Sequence, residues 1–177
     1  LEAPGIDLAI TQSSREAMVR QGLDGECDLA LGVFPDLPER LEAGPLISEN
    51  FACLADRESM PGKERLDMEA YLSRPHVLVA MRDGANTEVD TALRAAGHQR
   101  RIAVTLPHWG NAPRLIQGTD LVLTVARNAL VPCESDPTLI IFGPPFTIPS
   151  FPFVQVWHER RCGDPAHIWL RDAVAGV

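Results

Sequence analysis

The chain has 177 residues, enough for one large domain or two small lobes. Hydrophobic residues make up 45%, which excludes a disordered polymer. Acidic residues outnumber basic ones 24 to 16, a net charge of −8 that argues against independent affinity for a phosphate backbone. From the N-terminus, Pro4-Gly5 punctuates the entry to a short alternating strand over residues 6–11. Ser13 and Ser14 offer caps for a helix from Arg15 to about Gly22, where glycine stops it. Residues 28–34 form a nearly continuous apolar run, the pattern of a strand buried on both faces of a parallel sheet. Strand, helix and strand then make a βαβ unit with a right-handed crossover. After a loop at 35–38, residues 41–55 read as extended chain broken at Gly44-Pro45, with its second part from Asn50 to Leu54.

A second series follows. Residues 67–72 suit a short helix that ends before Pro75, and residues 76–81 suit a buried strand with Arg82-Asp83-Gly84 as its exit. Asn86 or Thr87 caps a helix over 88–96, where Val89, Leu93 and Ala96 recur at helical spacing and Gly97 closes it. A strand at 102–106, an exit at Pro107-His108-Trp109 and a helix at 112–117 come next. A strand at 121–125, a short helix at 126–131, and strands at 139–142 and 151–157 complete the series up to the C-terminal helix. Asp164 caps that helix and Pro165 occupies its first position, where the missing donor costs nothing. Strands alternating with helices indicate α/β architecture.

Chemistry-bearing motifs are sparse. Cys27, Cys53, Cys133 and Cys162 have no regular spacing and read as reduced thiols of a cytosolic protein. His158, Cys162 and His167 lack a fourth ligand at a familiar spacing, so they read as structural rather than as a zinc site, and no metal or cofactor is expected. Neither a Gly-x-Ser-x-Gly elbow nor a phosphate loop is present, and the carboxylates are scattered; an enzyme is not expected. Arg100-Arg101 and Arg160-Arg161 read as isolated solvated pairs, His76 as a satisfied buried histidine, and Trp157 and Trp169 as packing the last strand against the last helix. No apolar run approaches the ~20 residues that span a bilayer, and no signal-peptide pattern opens the chain. The first residue is not Met, as in a piece of a longer polypeptide.

Three stretches carry a resemblance. Trp157-His158-Glu159-Arg160 followed by Asp164-Pro165-Ala166-His167-Ile168-Trp169-Leu170-Arg171 is one. Residues 25–32, Gly-Glu-Cys-Asp-Leu-Ala-Leu-Gly, and 75–79, Pro-His-Val-Leu-Val, are the others. Together they resemble the effector-binding domain of LysR-type transcriptional regulators, in the branch that senses aromatic compounds and flavonoids. The resemblance covers essentially the whole chain. It implies a two-lobed, periplasmic-binding-protein-like fold of type II, with two mixed sheets, flanking helices and two crossing hinge strands near 50–56 and 153–157. Lobe one would comprise 1–53 plus 156–177, lacking its first strand and helix, and lobe two 54–155. It also implies a small organic effector, an aromatic acid or phenolic, bound between the lobes and changing their relative angle or the packing of protomers. Further implied are homo-oligomers (dimers, and tetramers of the full-length protein) and promoter DNA bound only through an absent N-terminal winged helix-turn-helix. Neither membrane nor cofactor is implied, and the location is cytoplasmic. A transport solute-binding protein of the same fold is the alternative.

In open α/β sheets ligands sit beyond the carboxyl ends of strands. The exits here nominate Phe34, Met81, Arg82, Gly84, His108, Trp109, Asn111 and Thr124 as effector contacts. Trp109 would supply a flat apolar wall and His108, Asn111 and Thr124 the polar contacts. The plainer alternative is that Trp109 packs in the core and His108 caps the following helix.

Overall fold

Helices begin where the sequence supplies an oxygen to their first turn. Four of the five α-helices among the described residues are capped this way: α1 (Arg15–Asp24) by Ser14, α2 (Met68–Ser73) by Asp67, α3 (Glu88–Ala95) by Thr87 and α5 (Pro165–Ala175) by Asp164. The exception, α4 (Ala112–Ile116), instead continues a 3-10 turn over Trp109–Asn111. The computed structural model describes residue 3 and residues 5–60, 62, 64–80 and 87–176. It divides the chain into two units, residues 1–46 with 153–177, and residues 47–152.

Unit one contains α1, α5 and a three-stranded sheet in the order β1 (Ala30–Gly32), β8 (Phe151–His158), β2 (Leu41–Glu49), with β1 antiparallel to β8. Its core is Ala30, Leu41 and Val156, packed by Met18, Val19, Leu23, Phe34 and Val154. Several sequence expectations are corrected here. Residues 6–11 form no strand; Ile6, Leu8 and Ile10 are exposed, Ile10 to 91%. Alternation gives a strand a face but not a partner, and without a ladder the backbone gains nothing from extension. The βαβ unit therefore does not exist. The strand at 28–34 shrinks to three residues with alternating burial, Ala30 and Gly32 inward and Leu31 outward, as an antiparallel strand with one covered face requires.

Helix α1 runs past Gly22 and stops at Gly25, whose φ of 79° is the left-handed closing conformation. Nor does Gly44-Pro45 interrupt β2. The Trp157 ring lies so close to Gly44 that an added Cβ would meet it at 3.2 Å. Pro45 is tolerated because β2 is an edge strand, where a missing donor breaks no ladder bond. The break comes at Asn50 instead. Trp157 does face α5: Arg171 lies over its ring at 4.4 Å, and its Nε1–H donates to Cys162 Sγ at 3.4 Å. Trp169, expected against the same strand, is instead exposed.

Unit two is built on a five-stranded mixed sheet in the order β5 (Arg101–Leu106), β4 (Pro75–Val79), β6 (Val122–Ala126), β3 (Phe51–Asp56), β7 (Leu139–Phe142). Strand β4 is parallel to both β5 and β6, whereas β3 is antiparallel to β6 and β7. Alternate residues of β3 point to opposite faces. On one face Ala52 and Leu54 pack with Val77, Leu123 and the α4 residues Ala112 and Ile116. On the other, Cys53 and Ala55 pack with Tyr71 of α2 and Val89 and Leu93 of α3. The short helix expected over 126–131 is instead a 3-10 helix, Arg127–Cys133, that runs on through Pro132.

Of the Arg100-Arg101 pair, Arg101 is exposed as expected but Arg100 is buried. The Arg100 side chain is 1% exposed and pairs with Asp90, Nε to Oδ1 at 2.7 Å and Nη2 to Oδ2 at 3.1 Å. Burial pushes the Asp90 carboxyl up, but the Arg100 and Thr87 hydrogen bonds outweigh it and hold the group below the usual carboxylate range.

Candidate functional site

The chain order of unit two creates a crevice position within its own sheet. Adjacent parallel strands β4 and β5 end together, with Ala80 N–H donating to Leu106 O at 2.9 Å. From there the chain leaves β4 toward α3 on the Cys53 face and leaves β5 toward α4 on the Leu54 face. Two neighbouring strands whose connections depart to opposite faces define a switch point, where open α/β sheets bind ligands.

The β5 exit is fully described. His108 is extended (φ −134°, ψ 136°) and exposed, and its side chain makes no cap hydrogen bond to the turn that follows. Trp109 is 37% exposed at the start of that turn and Asn111 is exposed at its end. Neither plainer alternative holds: Trp109 is outside the core and His108 does not cap. What fixes the exit is Ala112 and Ile116 behind it, both fully buried. The matching β4 exit contains Met81, Arg82 and Gly84, which lie outside the described residues.

Two nominated residues have other surroundings. Thr124 lies within β6, buried, and its hydroxyl shares hydrogen bonds with Tyr71 OH at 2.8 Å and Cys53 Sγ at 3.4 Å. It belongs to a polar cluster under α2 rather than to a strand exit. Burial pushes both the Tyr71 phenol and the Cys53 thiol up to about 12, so both stay protonated. Phe34 belongs to unit one, half-buried, with its ring against Gly32.

The sequence reading missed the depth of this polar cluster. His76 is buried as expected and its Nε2–H donates to Tyr71 O at 2.9 Å, but its Nδ1 has no partner. Desolvation lowers its pKa to about 4, with the nearby Arg100 charge adding to the effect. The one sequence signal for Arg100 is the Thr87-x-x-Asp90 spacing of a reciprocal cap: Thr87 Oγ1 donates to Asp90 Oδ2 at 2.6 Å and accepts from Asp90 N–H at 3.3 Å.

His158, Cys162 and His167 are each engaged elsewhere. His158 Nδ1 accepts from Arg160 N–H at 3.2 Å, Cys162 Sγ receives Trp157, and His167 Nε2–H donates to Asp28 O at 2.8 Å. Among the described residues, no group of three or more His, Cys, Asp or Glu could hold a metal ion, and no helix is long and apolar enough to cross a membrane.

Comparison with known proteins places this geometry. The LysR substrate binding domain family matches residues 1–177. The HTH-type transcriptional activator NahR of Pseudomonas putida is 28% identical over 170 residues, which are 96% of this chain and 57% of that protein. The chain thus spans little more than half the length of the curated relatives it matches. A probable transcriptional regulator from Pseudomonas aeruginosa superposes with a TM-score of 0.86 at 27% identity, covering 99% of this chain and 58% of that one. The regulatory domain of Synechocystis CcmR, solved in complex with 2-PG, shares the fold: its TM-score is 0.79 at 16% identity, over 99% of this chain and 85% of that one. The architecture is the periplasmic-binding-protein-like one of type II.

Proposed function

Because the chain belongs to the LysR substrate binding domain family, we propose that it is the effector-sensing part of a LysR-type transcriptional regulator, with a small organic molecule as its ligand. The observation that carries the reading is the switch point in unit two, where an exposed Trp and an uncommitted His and Asn stand together past the ends of parallel strands. An exposed indole offers a stacking surface, and imidazole and carboxamide offer hydrogen bonds, a mixture suited to an aromatic acid or phenolic. His108, Trp109 and Asn111 are the proposed contacts, with Met81, Arg82 and Gly84 from the neighbouring exit. Thr124 and Phe34 stand outside this proposed contact set: Thr124 is buried in its own polar cluster, and Phe34 belongs to unit one. The two units serve as the regulator's two lobes.

A ligand can act on transcription only through unequal affinity for two arrangements of the protein. Promoter contact is assigned to a helix-turn-helix region of the full-length, cytoplasmic regulator; the relative NahR is an HTH-type transcriptional activator. Self-association is supported by unit one, whose exposed apolar residues include Ile6, Leu8, Ile10, Leu31, Ile168 and Trp169. Neither catalysis nor solute transport gains support from the family match.

A thermal-shift screen with aromatic acids, phenols and flavonoids tests the proposal. A true effector at about 100 times its dissociation constant stabilises by roughly 2.7 kcal/mol, a visible rise in melting temperature. A screen in which sugars or amino acids, but no aromatic compound, stabilise the chain would overturn the ligand class.

A further inference from the structure

Strand β7 is the outer edge of the five-stranded sheet, four strands away from β5 and its exit. Beside it lies an open groove of about 590 Å³, within the size range of small-molecule sites. Ala52, Cys133 and Ile141, which share one face of the sheet, supply apolar wall, and Arg57, Arg127 and Glu134 line it as well. Two of those charges cancel, since Arg127 and Glu134 form an ion pair. Arg57 differs: its hydrogen bonds go to carbonyl oxygens, Nε to Pro137 O and Nη2 to Leu139 O, both at 2.9 Å. Carbonyls hold the guanidinium in place, and among the described residues no ion pair matches its charge.

The backbone contributes too. Arg57 N–H donates to Thr138 O at 2.8 Å, which makes that pair hydrogen-bonded and, two by two, turns the polar groups of Leu139 and Ile141 away from β3. Both groups of Leu139 are occupied, its carbonyl by Arg57 and its N–H by Asp136 O at 3.2 Å. An apolar wall with one fixed, unmatched cation at its rim complements a molecule with an apolar body and one negative group. We propose that this groove binds a small amphipathic anion, such as an aromatic carboxylate, with its body against Cys133 and Ile141 and its anionic group at Arg57. This site is separate from the β4–β5 switch point, about four strand spacings or roughly 19 Å across the sheet.

An NMR titration of the isotope-labelled chain with 2-naphthoate tests the assignment, using wild type, Arg57→Gln, Arg57→Lys and His108→Ala. Saturable shifts at the amides of Ala52, Cys133 and residues 139–143 are expected in wild type. Arg57→Gln weakens them roughly two- to fivefold, the usual worth of an exposed ion pair. Arg57→Lys retains most of the affinity, and His108→Ala leaves it unchanged. Shifts that are absent or do not saturate at these amides would overturn the proposal. So would equal affinity in Arg57→Gln, equal loss in Arg57→Gln and Arg57→Lys, or loss in His108→Ala.

Discussion

The buried ion pair of Arg100 and Asp90 is the residue on which most of the α3 region depends. Its guanidinium is withdrawn from water and held by both oxygens of Asp90, while Thr87 adds a longer contact at 3.4 Å. Asp90→Ala strands a buried cation and is expected to cost roughly 3 kcal/mol, measured by urea unfolding. A loss under about 0.5 kcal/mol, as for an exposed pair, would refute that account. His76 gives a pH prediction. Its folded pKa is lowered to about 4 from 6.5, so below 6.5 the unfolded chain takes up the proton first. The His76 contribution is complete above about 6.5 and is lost as the pH falls toward 4. His76→Gln, which keeps a donor for Tyr71 O, should flatten the dependence of melting temperature on pH across that window; an unchanged slope would exclude His76 as its source. His76 was legible as a buried histidine opening a buried strand, whereas Arg100 was not legible as buried. A doublet of arginines looks solvated until a carboxylate ten residues away folds over it.

Elements with local punctuation were legible, and those that needed a distant partner were not. Caps at Ser14, Thr87 and Asp164 mark their helices because the capping oxygen lies within one turn of the amides it satisfies. The stretch at 6–11 and the strand at 28–34 depend on what lies beside them, and alternation is silent about that. Glycine was misread for the same reason. Gly22 lies inside α1, where an added Cβ would make only ordinary contact with Leu41 at 3.5 Å; Gly25 closes the helix with a positive φ, beneath Arg160. Gly22→Ala should therefore be neutral or stabilise by up to about 1 kcal/mol through helix propensity. Gly25→Ala should destabilise by about 1 kcal/mol or more. The reverse order in thermal melts would mean that α1 ends at Gly22. Of the candidate site, the β5 exit was legible because a strand boundary alone sets its position. Thr124 was not, because its burial depends on Tyr71 arriving from another helix.

At the scale of the whole molecule, a chain of net charge −8 that belongs to the LysR substrate binding domain family fits the proposed role of an effector sensor. The apolar residues exposed on unit one lead to an expectation of concentration-dependent self-association in sedimentation; a clean monomer at high concentration would contradict it. The central claim concerns the switch point of unit two. Its most direct test is calorimetric titration of the best aromatic ligand into wild type, His108→Ala and Trp109→Ala. Both side chains are exposed and make no cap or core contact that the fold needs, so both variants should melt as wild type does. The account predicts that each loses roughly 1–3 kcal/mol of binding free energy, the range for removing a hydrogen-bonding or stacking partner. Wild-type affinity in both variants would contradict it.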